Sequence, residues 1–431
     1  MTPEPRPARI IPEASALGGW PETACRLSPH AAAGEPEPED RPRTTPPRRP
    51  STTASGFVLV DKPAGWTSHD VVARLRRLVG TRKIGHAGTL DPMATGLLVC
   101  GVNRATRLLS LAGGQDKTYV ARLRFGVETA TEDAEGAVVA ARGAAGLTLA
   151  DLAVAAAACL GDSAQVPSAV SAVKVGGRRA YALVRQGQIP QLAARPIHIS
   201  RLEWGEPEIH LVTLPGAAAS LSGAVAPLPG VAVSLLAGPA DGLDLSPSLE
   251  AAAAEVGLAP VPVPSGLAFA PSLDAAPVCV DAPAGLAADP SFKTEVPVLD
   301  IDLVVDCSAG TYIRALARDI GHAVGTGAHL IALRRTRSGA LAVEDADVGA
   351  AALAEDNPVS PRPSAGILAQ LMPCLVVTDE QARRIGYGQS IDLALAGPTA
   401  LLDKRGDALA VYVPDGDRAK PQMVLQGADN D

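Results

Sequence analysis

Between Glu206 and Pro290 the chain carries nine acidic residues and no Lys or Arg, and Phe269 is its single aromatic residue. The stretch is built mainly of Ala, Pro, Gly and Ser, a composition that cannot bury enough apolar surface to fold, so residues 206–290 read as a largely disordered insertion. At most a short helix is expected at SLEAAAAEVG. Residues 1–55 have a similar character, dense in Pro, Glu and Arg, with seven basic residues cancelling seven acidic ones. They read as a disordered extension. What remains must make the core: residues 56–345 around the insertion, and a small β-rich C-terminal domain over 366–431, two domains in a chain of 431 residues that is 47% hydrophobic. The strand-like runs RPIHISRLEW and VPVLDIDLVVDC then become neighbours across the insertion.

Within the folding part, hydrophobic spacing assigns the elements. Phe57–Val60 is a short strand closed by Asp61, Lys62, Pro63 and Gly65. HDVVARLRRLVG is helical, with Val71, Val72, Leu75 and Leu78 on one face and Gly80 at its end. LLVCGV and KTYVARLRFGV read as strands; LTLADLAVAAAACLG and GTYIRALARDIGHAVG read as helices. ALLDKRGDALAVYVP has a hairpin pattern. The net charge of -8 is unevenly spread: residues 56–200 hold 17 Lys or Arg against 10 Asp or Glu, and residues 301–340 five against three. A positive surface there suits a polyanion. No run approaches the roughly 18 apolar residues of a membrane span. Six cysteines lack metal-ligand spacing or a disulfide pattern, so a cytoplasmic protein without a metal is expected.

The stretch GHAGTLDPMATGLL is where chemistry could sit. An Asp-Pro pair ordinarily starts a helix, with Asp91 as N-cap. Gly85, Gly88 and Gly96 argue instead for a loop that aims a carboxylate into a cleft. Arg314 and Arg318, four apart, share a helix face next to Tyr312 and by themselves read as an exposed basic face. Lys62, Tyr119 and His86 carry no signal individually. Ser171-Ala-Val-Lys174 matches a penicillin-binding pattern without its companion motifs, and nucleotide-type phosphate loops are absent.

Taken together, LVDKPAGWTSHDVV, RKIGHAGTLDPMATGLLVCGVNRATRL, DKTYVARLRFGVETATEDAEG, QVPSAVSAVKVGGRRAYALVRQG and CSAGTYIRALARDIGHAVGTGAHLIALRRTRSG closely resemble the bacterial tRNA pseudouridine-55 synthases of the TruB type. The resemblance implies an α+β fold with a mixed, mainly antiparallel curved sheet flanked by helices, plus a PUA-like C-terminal domain. It implies a cofactor-independent isomerisation of a T-loop uridine in tRNA, with the T-arm as partner; separately, a monomer with no membrane association is expected. By position, Asp91 falls on the catalytic aspartate and Arg314 on the arginine that pairs with it. Tyr119 matches the tyrosine that stacks on the flipped base, and His86 a histidine that holds the base out; Lys62 and Tyr312 line the pocket. Lys174, Arg178, Arg179 and Arg185 align with a flexible thumb, and with Arg334 and Arg335 they are expected to contact RNA. Whether Asp91 attacks C1′, assists loss of the 2′ proton or adds to C6 stays open. The family's cation before GTYIR is replaced by Ser308-Ala309-Gly310. A tRNA-binding chaperone on the same scaffold would need the basic cleft but not Asp91; a synthase acting on another RNA is the other alternative.

Overall fold

The computed structural model describes residues 52–215 and 293–425, apart from Ala172, Arg185, Gly187 and Ile189. The disorder expected of residues 1–51 and 216–292 lies outside the described residues. Ten strands form one sheet: β1 (Gly56–Lys62), β2 (Ile84–Ala87), β3 (Thr95–Val102), β4 (Lys117–Phe125), β5 (Gly161–Gln165), β6 (Arg195–Trp204), β7 (Glu208–Pro215), β8 (Lys293–Cys307), β9 (Ala328–Ser338) and β10 (Leu341–Ala342). Their order is β1-β3-β9-β4-β8-β6-β5, with β2 on β3, β7 on β8 and β10 on β9. Every pairing is antiparallel except β3 with β9, where Thr95 and Gly96 lie beside Arg334 and Arg335. The sheet is thus mixed and mainly antiparallel.

Both faces are covered, which explains why β1 reads as an unbroken apolar run. Val58 and Val60 face helices α1 (Ser68–Val79), α2 (Leu149–Ala157) and α3 (Ile313–Ala323). Phe57 and Leu59 face the other way, onto Leu108, Ala112, Ile367, Ala400 and Val411. Helix α1 begins where its sequence dictates: Thr67 and Asp70 form a capping box, and Gly80 ends it with φ 78°. Gly321 in α3 lets the helix lie against the start of β9, since a Cβ there would meet Ala328 N at 2.3 Å. The C-terminal sheet comprises β11 (Cys374–Val376), β12 (Thr399–Leu402), β13 (Ala408–Asp415) and β14 (Arg418–Val424), paired in that order. β12 and β13 form the antiparallel pair expected from ALLDKRGDALAVYVP.

The insertion begins later than its composition suggested. Glu208–Pro215 is strand β7, paired residue for residue with Lys293–Asp300. Composition missed it because lack of basic residues says nothing about backbone pairing. The strand satisfies the amide and carbonyl groups of the first half of β8, which an insertion starting at 206 would leave open. Its side chains join a buried ion pair. Arg124 and Asp300 face each other across β4 and β8, both under 5% exposed, with bidentate contacts of 2.8 and 2.7 Å. His210 of β7 lies 3.3 Å from the same guanidinium. Removing one member of such a pair strands the other charge in the interior. Asp300→Ala should therefore lower unfolding stability by about 3–5 kcal/mol in chemical denaturation; a loss under about 1 kcal/mol would contradict this account.

Candidate active site

No helix follows Asp91. Residues 88–94 form an irregular loop between β2 and β3, and Asp91 takes no N-cap role. The loop is pinned from below. The Ser68 hydroxyl accepts from Leu90 N at 2.9 Å and donates to Leu90 O at 3.1 Å. Lys62 Nζ, fully buried, donates to the carbonyls of Pro63 (2.9 Å), Trp66 (2.6 Å) and Pro92 (3.1 Å), and Gly65 N donates to Pro92 O at 2.8 Å. Burial brings the Lys62 ammonium down to about 8, against the opposing pull of Asp91.

Arg314, in the first turn of α3, ties three separate segments to its helix. Its Nε and Nη2 donate to Asp91 Oδ2 and Oδ1 at 2.9 and 3.2 Å. Nη1 donates to Thr131 O (2.8 Å) and Ser168 Oγ (3.2 Å), Nη2 to Val170 O (2.8 Å), and Asp133 Oδ2 stands 3.4 Å away. The guanidinium is 4% exposed and the Asp91 side chain 36%, so the fork is hidden while the carboxylate it orients opens to solvent. Arg318 does not extend an exposed basic face: it pairs with Glu132 at 2.6 Å and Asp319 at 2.8 Å. Burial pushes the Asp133 carboxyl up, with Arg314 opposing; Glu135 is pushed up by burial and then by Asp133 and Asp91.

The other expected residues surround this pair. Tyr119 is buried in β4, and burial raises its hydroxyl. His86 in β2 packs edge-on against His69, ring centroids 5.7 Å apart at 79°. Its Nδ1 is buried with no partner, and burial followed by His69 and Arg335 lowers its ring below the usual value. Tyr312 immediately precedes α3. Its backbone is held at both ends by Gln165, which accepts from Tyr312 N at 2.8 Å and donates to Tyr312 O at 3.1 Å.

The expected RNA contacts divide. Lys174 and Arg178 are exposed on a hairpin turned by Gly176 and Gly177, both at positive φ. The Arg179 side chain and all of Arg185 lie outside the described residues. Arg334 is already committed to Asp61 through contacts of 2.9 and 2.8 Å. Arg335 cannot be a surface contact: at 1% exposure it is among the most completely buried side chains, donating to Leu97 O at 2.7 Å and Gly88 O at 2.9 Å. Adjacent residues of a strand point to opposite faces, and this sheet is covered on both. Sequence reasoning gave no role to Asp133 or Ser168, although both lie in motifs that carry the family likeness.

Comparison with known proteins finds clear relatives. The family described as "TruB family pseudouridylate synthase (N terminal domain)" matches residues 76–215, and "tRNA pseudouridylate synthase B C-terminal domain" matches residues 314–358. A protein named tRNA pseudouridine synthase B from Arthrobacter sp. (strain FB24) is 40% identical over 362 residues, 84% of this chain and 90% of its own length. Its namesake from Paenarthrobacter aurescens (strain TC1) is 38% identical over 381 residues, 86% of this chain and 95% of its own. A solved chain titled "Crystal Structure of a Cbf5-Nop10-Gar1 Complex" aligns at TM-score 0.48 and 18% identity, covering 87% of this chain and 86% of that one.

The Lys62 anchor gives the site a pH signature. Above about pH 8 Lys62 becomes neutral and donates less strongly to the three carbonyls beneath the loop, so turnover should fall on the alkaline side with a midpoint near that value. The fold should not fail there: the folded value lies below the ordinary 10.5, so between the two the unfolded chain binds more protons and stability linked to Lys62 rises with pH. Turnover and thermal melting measured in parallel from pH 7 to 10 check this. In Lys62→Arg, whose side chain does not titrate in that window, the alkaline limb should vanish; its persistence would remove Lys62 as the cause.

Proposed function

The chain belongs to the TruB family of pseudouridylate synthases, and from that premise we propose that it isomerises uridine 55 in the T-arm of tRNA to pseudouridine with Asp91 as nucleophile. The reaction breaks the bond between N1 and C1′, turns the base, joins C5 to C1′, releases the proton from C5 and returns one to N1. Atoms balance within the nucleotide. No electrons are gained or lost, so a nucleophile and proton transfers suffice.

The observation that carries this reading is the Asp91–Arg314 pair, a solvent-open carboxylate with both oxygens fixed by a buried guanidinium. A carboxylate so aimed can meet C1′, the 2′ proton or C6 of an extruded uridine. Extrusion is required because the reacting atoms of a stacked base are inaccessible, and Tyr119 and His86 supply ring faces beside the loop to receive it. Lys174 and Arg178, exposed on their hairpin, suit the phosphates of the T-arm, contacts that position RNA without reading its sequence.

Incubation of the full chain with an unmodified tRNA transcript tritiated at uracil C5 tests the proposal. The wild type should release tritium, and Asp91→Asn should release it on the order of 10³-fold more slowly, as removal of a nucleophile does, while still binding tRNA. Release by Asp91→Asn within tenfold of wild type would remove Asp91 from the chemistry.

A further inference from the structure

The buried Arg335 has no surface to offer RNA, yet the loop around Asp91 is built to receive it. It stands opposite Tyr119 on one side and beside Gly96 on the other, in the strand that joins β3 to β4. Its guanidinium donates to Gly88 O and Leu97 O, the two sides of the loop that carries Asp91. Tyr119, directly opposite it on β4, points to the same side of the sheet. Two glycines of GHAGTLDPMATG make the space: a Cβ on Gly88 would lie 3.1 Å from Arg335 Nη1, and one on Gly96 would lie 2.2 Å from Arg335 O. Both have positive φ, 73° and 100°.

We propose that Arg335 is a positioning residue for the isomerisation: one buried, planar guanidinium ties both sides of the Asp91 loop to the strand pair on which Tyr119 lies directly opposite, and so sets the nucleophile and the ring that receives the base at a fixed separation. This rests on the isomerase reading above. A guanidinium suits the task because its donors leave in fixed directions within one plane, whereas an ammonium is a point charge on a flexible stem. The buried charge also acts on what surrounds it. It opposes the rise that burial imposes on Tyr119, and it adds to the lowering of Lys62, His86 and Lys117. Asp91, Lys117, Cys100 and Cys307 are the other titratable groups that act on or beside these two side chains.

Arg335→Lys and Arg335→Met, assayed as full chains on tritiated tRNA, test it. Acting through Tyr119 and the loop, the change should lower kcat by roughly 10–100-fold, as loss of fixed geometry does, and leave KM and tRNA binding within about twofold. A phosphate contact would do the opposite, weakening binding and flattening its salt dependence by about one unit of slope. A second readout follows Tyr119 itself: the protein is labelled with 3-fluorotyrosine, its resonance assigned by Tyr119→Phe, and its ionisation followed by fluorine NMR. In Arg335→Met the Tyr119 midpoint should rise by about one pH unit or more, the effect of removing an adjacent charge. If neither Arg335 variant folds, Gly88→Ala, which presses on Nη1 while keeping the charge, should lower kcat without weakening tRNA binding. Unchanged kcat in folded variants, an unmoved Tyr119 resonance, or a loss confined to binding overturns the proposal. If the wild type releases no tritium, the isomerase reading fails by itself, and the fluorine titration still decides whether Arg335 governs Tyr119.

Discussion

Everything at the site hangs on one buried guanidinium fork. Arg314 reaches Asp91 with two donors and spends the others on Thr131, Ser168 and Val170, so a single side chain joins helix α3, the loop between β2 and β3 and two connecting segments. No one of these segments could hold an aspartate at a defined angle by itself. Arg314 can do so because α3 is locked onto the sheet through Ile313, Leu316, Ala317 and Ile320. The apolar burial of one helix face thereby fixes a polar contact at its first turn.

Two further buried cations complete the support. Lys62 holds the loop from below through three backbone carbonyls, and Arg335 holds it at both sides. Withdrawing charge from water is costly unless its hydrogen bonds are replaced, so each of these side chains is surrounded by acceptors in specific places. The carbonyls must stay where they are for the charges to remain buried. The loop is therefore rigid by necessity and, being held by buried partners, little affected by salt. The carboxylate of Asp91 stays open to solvent, which is the arrangement a nucleophile needs.

Much of the framework was legible in advance. The spacing of Val71, Val72, Leu75 and Leu78 with Gly80 behind it specified α1, and the alternation in KTYVARLRF specified β4. Asp91 and Arg314 stand together where the family likeness puts them. Strand β7 was missed because composition separates what can fold from what cannot only on average, and eight residues at the edge of an acidic stretch are too few to register. Arg335 was misread for a different reason. In a half-exposed strand a basic residue ordinarily points to water, and nothing in LRRTRS states that the strand is covered on both faces.

The amino-acid sequence by itself determined most of the elements and the family, because those depend on local periodicity and on motifs read along the chain. Tertiary structure alone decided which cations are free. Arg178 is exposed on its hairpin, Arg318 is spent on Glu132 and Asp319, and Arg335 is sealed beneath Asp91. Burial and partnership belong to surfaces brought together from distant parts of the chain, and a residue's type records neither.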